Sequence, residues 1–305
     1  MAQVKCMLTI FTATYNRGHL IEQLYHSLLR QRCFDFEWLV IDDGSQDNTP
    51  QLFAEWIQND NPFPIRYYRQ ENSGLIRSLN KGIELAQGEY LSKIDSDDYV
   101  TDLFAENMSL WISQIRNEKD IYGVSGVRVT PDGIPIKGSW PTIPDGKDYV
   151  DATDLERGKY NLDADMAEAW KTEILRQHPF PVWEGEKFAP EQIVLHEIAR
   201  EGWKIRWHPV AMTVCEYQEG GLTRGASKLV KENPMGYAMM YNHKLLFHTD
   251  FHQRFNDAVQ TVALSFYAGK LGYLRESNSK AMTALTFPVG VLLGLKRKYQ
   301  FSKLK

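Results

Sequence analysis

Tyr90-Leu91-Ser92-Lys93-Ile94-Asp95-Ser96-Asp97-Asp98 is a short apolar run that breaks off into three carboxylates. Val40-Ile41-Asp42-Asp43-Gly44-Ser45 ends the same way. Runs of this length, rich in β-favouring residues and closed by Asp, Gly and Ser, read as buried strands that stop at turns. Working outward, strands are expected at 4–11, 36–41, 65–68 and 90–94. Helices are expected between them at 20–31, 50–58 and 75–86. The last of these carries Leu75, Leu79, Ile83 and Ala86 at helical spacing. Strands alternating with helices predict an α/β fold whose parallel sheet is covered by helices. Ligands in such sheets bind beyond the carboxyl ends of the strands. Three polar clusters fall there: Thr12-Ala13-Thr14-Tyr15-Asn16, Asp42-Asp43-Gly44-Ser45 and Asp95-Ser96-Asp97-Asp98.

Composition narrows the class. The chain has 305 residues with 43% apolar and 24% charged, an ordinary globular balance that excludes a wholly disordered chain. The net charge of −4 gives no basic excess that would point to nucleic acid. Three scattered cysteines form neither a disulfide framework nor a zinc motif, which suits a reducing compartment. The N-terminal residues run directly into patterned sequence, so no signal peptide is expected. No apolar stretch reaches the length of a spanning helix; the nearest is 281–295, followed by Lys296, Arg297, Lys298, Lys303 and Lys305.

In the second half, 133–160 is rich in Gly, Pro and Asp and reads as loop. Helices are expected at 164–177, 190–202, 234–247 and 250–271. Pro288 and Gly290 argue against a regular helix throughout 283–295.

Taken singly, the acidic clusters are weak signals. A solvated turn explains either one, and Asp-Asp-Gly is a common tight-turn sequence. Carboxylates as close as Asp95, Asp97 and Asp98 repel unless something positive sits among them, and a hard divalent cation shared with phosphate oxygens is one solution. The cluster is no EF-hand, since Tyr99 and Val100 stand where a ligand and a glycine are needed. His196-Glu197 begins a zinc-protease motif, but Arg200 stands in place of the second histidine. Phosphate-binding Gly-rich loops and a nucleophile elbow are missing from the sequence.

The order of the motifs is the stronger signal. Ile10-Phe11-Thr12-Ala13-Thr14-Tyr15-Asn16-Arg17 comes first, then Val40 to Asp47, Glu71-Asn72-Ser73-Gly74, Leu79-Asn80-Lys81-Gly82, and Gly88-Glu89-Tyr90 ahead of the Asp95 cluster. This series closely resembles the N-terminal half of family 2 glycosyltransferases, densely over 4–105 and more loosely to about 225. The resemblance implies the GT-A (nucleotide-diphospho-sugar transferase) fold, a Rossmann-like mixed sheet flanked by helices. It implies a catalytic domain at 1–225, with a nucleotide-sugar half at 1–130 and an acceptor half at 131–225. A C-terminal helical extension follows at 226–305.

It also implies roles. Ala13, Thr14 and Tyr15 line the nucleotide pocket, with Tyr15 against the base, and Asp42 and Asp43 contact a uracil. Asn72, Arg77, Asn80 and Lys81 border the ribose and sugar. Asp95, Ser96 and Asp97 match the family's DxD motif, and Asp97 with Asp98 holds Mn²⁺ or Mg²⁺ against the diphosphate. The base for the acceptor hydroxyl is Glu191, with Glu186 as second candidate; Pro190-Glu191 stands where Glu-Asp is common in the family. Glu191 also reads as a first-turn acid favoured by a helix N-terminus. Asp165 contacts the acceptor or serves as a solvated cap, and Trp183 stacks on a sugar or sits in the core. Arg224 neutralises the diphosphate from a closing loop or is a surface arginine.

The implied activity is inverting transfer from a nucleotide-sugar, a UDP-sugar by preference, to a saccharide or lipid-linked acceptor in surface polysaccharide synthesis. Two other classes stay in view. A nucleotidyltransferase would need a glycine-rich, arginine-containing loop after the first strand, and the first glycine there is Gly18. A non-catalytic nucleotide- or sugar-binding relative would not need the intact acidic cluster. A cytoplasmic location is expected. The apolar, basic C-terminal stretch suits either a helix packed on the domain or one lying on the cytoplasmic face of the inner membrane.

Overall fold

The computed structural model describes residues 6–216 and 226–304. They fall into two units, Met1–Pro179 with Leu195–Gln218 and Phe180–Val194 with Glu219–Lys305.

The first unit is built on a mixed sheet. Strands β1 (Leu8–Thr14), β2 (Phe36–Asp42), β3 (Ile65–Arg69) and β4 (Tyr90–Lys93) are parallel neighbours in the order β3-β2-β1-β4. Every residue of β2 is buried, as a parallel strand covered on both faces requires. The covering helices include α1 (Ile21–Leu29), α2 (Thr49–Trp56), α3 (Leu75–Leu85) and α4 (Phe104–Ile115). An aromatic cluster fills one side: Tyr25 of α1 stacks on Trp56 of α2 at 4.3 Å, and Trp38 of β2 meets Phe53 at 5.2 Å. Strand β1 starts later than expected and runs three residues further, so Thr12, Ala13 and Thr14 are its last residues rather than a loop after it.

Beyond β4 the sheet turns antiparallel. Strands β5 (Asp98–Val100), β6 (Ile121–Val129), β7 (Val150–Ala152), β8 (Met166–Lys171) and β9 (Lys204–Cys215) complete it. β8 pairs antiparallel with both β4 and β6; β9 runs parallel to β6 and antiparallel to β5 and β7. The helix expected at 164–177 is therefore a strand followed by the short helix α5 (Thr172–Gln177). Met-Ala-Glu-Ala-Trp-Lys favours a helix locally, but a slot between two strands supplies hydrogen bonds on both edges and burial on both faces. That context overrides propensity. The stretch read as loop contains β7 and a 3-10 turn at Asp154–Tyr160, opened by a capping box between Thr153 and Glu156.

Helix α6 (Gln192–Arg200) follows β8 and α5 in the chain. The second unit is largely helical, with α7 (Ala226–Glu232), α8 (Pro234–Lys244), α9 (Phe251–Tyr267) and α10 (Lys280–Ser302). α10 is continuous through Pro288, contrary to the expected break. The carbonyl that loses its amide partner to Pro288 belongs to Ala284, which is exposed and open to water. Gly290 and Gly294 serve packing. A Cβ on Gly290 would lie 2.5 Å from Val262, and one on Gly294 2.7 Å from Phe266, so α9 and α10 approach where side chains are missing.

One buried group predicts a pH dependence. His208 of β9 stacks on Trp111 of α4 at 3.9 Å, and its Nε2 has no hydrogen-bond partner. Burial, aided by Arg206, pushes its pKa down to about 4. The folded state thus resists a proton that the unfolded chain accepts near pH 6.5. Stability from this group is complete above that pH and is lost as pH falls toward 4, by roughly 3 kcal/mol. Urea melts from neutral to acid pH should show a smaller loss for His208→Phe than for the parent; equal losses would refute the assignment.

Candidate functional site

Register brings the polar strand ends together. Thr14 lies opposite Asp42, and Phe11 opposite Lys93, so β1, β2 and β4 deliver their carboxyl ends to one edge. The loops there are tied to each other. Asn16, in left-handed conformation at φ 53°, accepts at Oδ1 from the Gln46 amide, and its own amide donates to Ser45 Oγ at 2.9 Å. Gly44 has φ +89°, and a Cβ there would stand 3.1 Å from the Asn72 amide nitrogen. The Asp-Asp-Gly turn needs its glycine for both reasons.

The two carboxylates before that glycine are fully engaged. Asp42 accepts from the Ser45 amide at 2.7 Å and from the Tyr67 hydroxyl, with Arg69 at 3.9 Å. Asp43 accepts from the amides of Ser73 and Gly74 at 2.9 and 2.8 Å and from Gln70 Nε2 at 2.9 Å. Asn72 Nδ2 donates to the Asp43 carbonyl at 2.9 Å. Asp43 therefore holds the entry to α3, and with it Arg77, whose guanidinium donates to the Ser73 carbonyl. Asn80 follows one turn further on the same helix, and Lys81 pairs with Glu84 at 3.0 Å.

The acidic turn after β4 is neutralised by bases from three other places. Arg128, on β6, donates to Asp95 at 3.1 Å and to Asp98, and its Nε reaches Cys215 Sγ on β9 at 3.1 Å. Lys93 lies 3.6 Å from Asp95, and Arg17, after β1, lies 3.9 Å from Asp97. Burial opposes charge at Asp95, but Lys93 and Arg128 outweigh it and bring its carboxyl down to about 2. Burial pushes Asp98 upward against the pull of Arg128, with Asp95 and Asp97 adding to the rise. Burial also pushes the Cys215 thiol up, to about 12, so it stays protonated. Ser96 is buried within the turn.

Among the described residues, no three or more His, Cys, Asp or Glu converge to hold a metal. Asp95 and Asp98 share Arg128, and Asp97 keeps a quarter-exposed carboxylate with Arg17 at the edge of contact. Such a donor set fits a hard divalent cation that takes its remaining ligands from phosphate and water.

Comparison with known proteins agrees with this layout. Residues 9–149 match the family model described as glycosyl transferase family 2. That part of the chain belongs to glycosyl transferase family 2. EpsH of Bacillus subtilis is 37% identical over 101 residues, 33% of this chain and 29% of that one. The chain spans only about a third of the length of the curated relatives it matches first. In fold it is similar to Staphylococcus aureus TarS 1-349 in complex with UDP-GlcNAc, with TM-score 0.60 and 15% identity over 97% of this chain and 90% of that one. It is also similar to the mannosyltransferase PcManGT of Pyrobaculum calidifontis in complex with GDP-Man and Mn²⁺, with TM-score 0.59 and 19% identity over 98% and 84%. The fold is the GT-A fold.

Ala13, Thr14, Tyr15, Asp42, Asp43, Asn72, Asp95, Ser96, Asp97 and Asp98 lie in loops and strand ends of the first unit, and Arg77, Asn80 and Lys81 lie on α3. Tyr15 is 46% exposed, so its ring is open at the edge. Asp165 lines a shallow depression with Arg128 and Lys137. Trp183, Glu186 and Glu191 lie in the second unit. Trp183 packs on an apolar cluster with Met235 and Leu264 and meets Tyr273 edge-on at 5.4 Å. Glu186 accepts from the amides of Met235 and Gly236, each at 2.8 Å, at the start of α8. Glu191 directly precedes α6. Arg224 lies outside the described residues.

Sequence reading assigned no role to Arg128, Lys93, Tyr67 or Arg17. Arg128 carried a signal: a single charge inside Val127-Arg128-Val129 must face something polar when its strand is buried. Arg128→Ala should destabilise the protein by about 3–5 kcal/mol, because it strands the buried Asp98 carboxylate. Adding Asp98→Asn to it should recover part of that loss in chemical melts. A double variant no more stable than Arg128→Ala would show that the pair is not coupled.

Proposed function

We propose that this chain is an inverting, metal-dependent glycosyltransferase. It takes a sugar from a nucleotide-sugar, a UDP-sugar by preference, and passes it to a saccharide or lipid-linked saccharide during synthesis of a surface polysaccharide such as capsule or lipopolysaccharide. The observation that carries this reading is the gathering of the loop after β1, the Asp42–Ser45 turn and the Asp95–Asp98 turn at one sheet edge of a family 2 domain. The nucleotide-sugars bound to TarS and PcManGT support it. We assign 1–225 to catalysis and 226–305 to a helical extension.

In this reading Tyr15 stacks on the base above Ala13 and Thr14, and Asp42 and Asp43 shape the base-binding turn. Asn72, Arg77, Asn80 and Lys81 follow the ribose and sugar, Asp95 and Ser96 contact the donor, and Arg224 meets the diphosphate. Asp97, joined by Asp98, would hold Mn²⁺ or Mg²⁺, and the bound cation would offset charge on the departing nucleoside diphosphate. Asp165 and Trp183 orient the acceptor. Glu191 takes the proton of the acceptor hydroxyl as that oxygen bonds to the anomeric carbon. The bond from that carbon to the phosphate oxygen breaks, and the nucleoside diphosphate leaves with its electron pair. Glu191 is preferred to Glu186, whose carboxylate is committed to two amides of α8. The enzyme works in the cytoplasm, at the inner face of the membrane that carries its acceptor.

Thermal unfolding with UDP, GDP, CDP and dTDP, each with and without Mn²⁺, tests the donor site. A ligand at about a hundred times its Kd adds about 3 kcal/mol to the folded state. One nucleotide should raise the melting temperature, and only with metal. No shift with any of them would favour the non-catalytic nucleotide- or sugar-binding relative. Asp97→Asn should abolish the metal-requiring part of the shift. Glu191→Gln should keep the shift while sugar transfer falls by roughly 10²–10⁴; full transfer by that variant would remove Glu191 as the base.

A further inference from the structure

The helix α10 is apolar on two opposite sides. Thr283, Thr286, Gly290, Gly294 and Phe301 form the buried side, which packs on α9. The other side carries Leu285, Leu292 and Tyr299 at seven-residue spacing, flanked by Val289 and Leu295. Leu285 is 59% exposed, Leu292 67%, Tyr299 64% and Leu295 50%. A single exposed leucine needs no explanation, but a stripe of them along one helix face does.

The charge on the same helix identifies what would cover it. No Asp or Glu follows Glu276, whereas Lys280, Lys296, Arg297, Lys298, Lys303 and Lys305 do. Lys296, Lys298 and Lys303 are exposed. At 100° per residue Lys296 and Lys303 continue the stripe beyond its leucines. Lys303 also lies over the Tyr299 ring at 4.1 Å, an amphipathic pair suited to a boundary between oil and water. A second copy is a poor occupant. Parallel pairing would set lysines against lysines, and antiparallel pairing would set them against leucines, with no acid on either helix to compensate. Spanning is excluded as well, because no helix among the described residues is long and apolar enough to cross a membrane.

We propose that the exposed face of α10 docks on an anionic phospholipid bilayer, lying in its surface with the Leu285–Leu292–Tyr299 stripe in the acyl boundary and the lysines among the headgroups. This supplies the contact surface for the membrane position proposed above and rests on that reading for its purpose. The geometry of the stripe stands without it.

The test is sedimentation of the full chain with vesicles of phosphatidylcholine alone or mixed with phosphatidylglycerol, at low and raised salt. Binding should require the anionic lipid and weaken with salt. Reversing Lys296, Lys298 and Lys303 to Glu should lower partitioning by about a hundredfold. Leu285→Ser with Leu292→Ser should also weaken it, while the salt dependence persists. Equal binding to neutral vesicles, or no binding to either, overturns the proposal. So does a dimer in analytical ultracentrifugation that Leu292→Ser splits, since the face would then be covered by a second copy. The metal-dependent nucleotide shift, measured on the same preparations, should be unchanged in these variants. Vesicle binding without a nucleotide shift refutes the transferase reading alone; a nucleotide shift without vesicle binding refutes the docking face alone.

Discussion

Five carboxylates stand at one edge of a sheet, and each is met by donors or bases from elsewhere in the fold. Asp42, Asp43, Asp95, Asp97 and Asp98 come from two neighbouring turns, and each is compensated differently. Asp42 uses a tyrosine hydroxyl, Asp43 uses backbone amides, and Asp95 and Asp98 share one arginine. Asp97 has Arg17 at arm's length. Burial makes the arrangement obligatory for Asp42, Asp43 and Asp98, because an unpaired charge inside a protein costs several kcal/mol. The compensating groups come from β3, the entry to α3, β4, β6 and the loop after β1. The edge therefore draws its compensation from nearly every part of the sheet.

Much of this was legible in the sequence, and the reasons divide cleanly. The parallel half was readable because its strands are buried on both faces and end in turn residues, so period and punctuation agree. The order of the motifs placed the acidic turns on the correct strand ends. Strand β8 was misread because Met166–Lys171 favours a helix and only its neighbours make it a strand. Strands β6 and β9 were not assigned; their pairing joins residues more than 80 positions apart, for instance Ile121 with Lys204. Arg128 went unassigned for the same reason. Its partners lie about 30 residues before it and 87 after it, on strands whose adjacency no local pattern announces.

The turns also show how one residue type serves two ends. Asp97 and Asp43 both sit in short acidic turns, yet one faces outward and the other is consumed by the fold. Spacing alone does not separate them. What separates them is whether a donor from another element is close enough to close the carboxylate's hydrogen-bonding capacity, and for Asp43 four donor atoms are present.

That capture of Asp43 reaches beyond its own turn. The amides it binds are those at the start of α3, the end where a helix's aligned peptide dipoles leave partial positive charge. Dinucleotide-binding sheets leave that end open and seat a pyrophosphate on it. Here an internal carboxylate sits just ahead of that end, on the amides of Ser73 and Gly74. A diphosphate arriving at this edge would find the dipole opposed by that fixed negative charge and would depend more on mobile cations and arginine side chains for its neutralisation. Its binding should then respond to ionic conditions far more than binding at a bare helix terminus would.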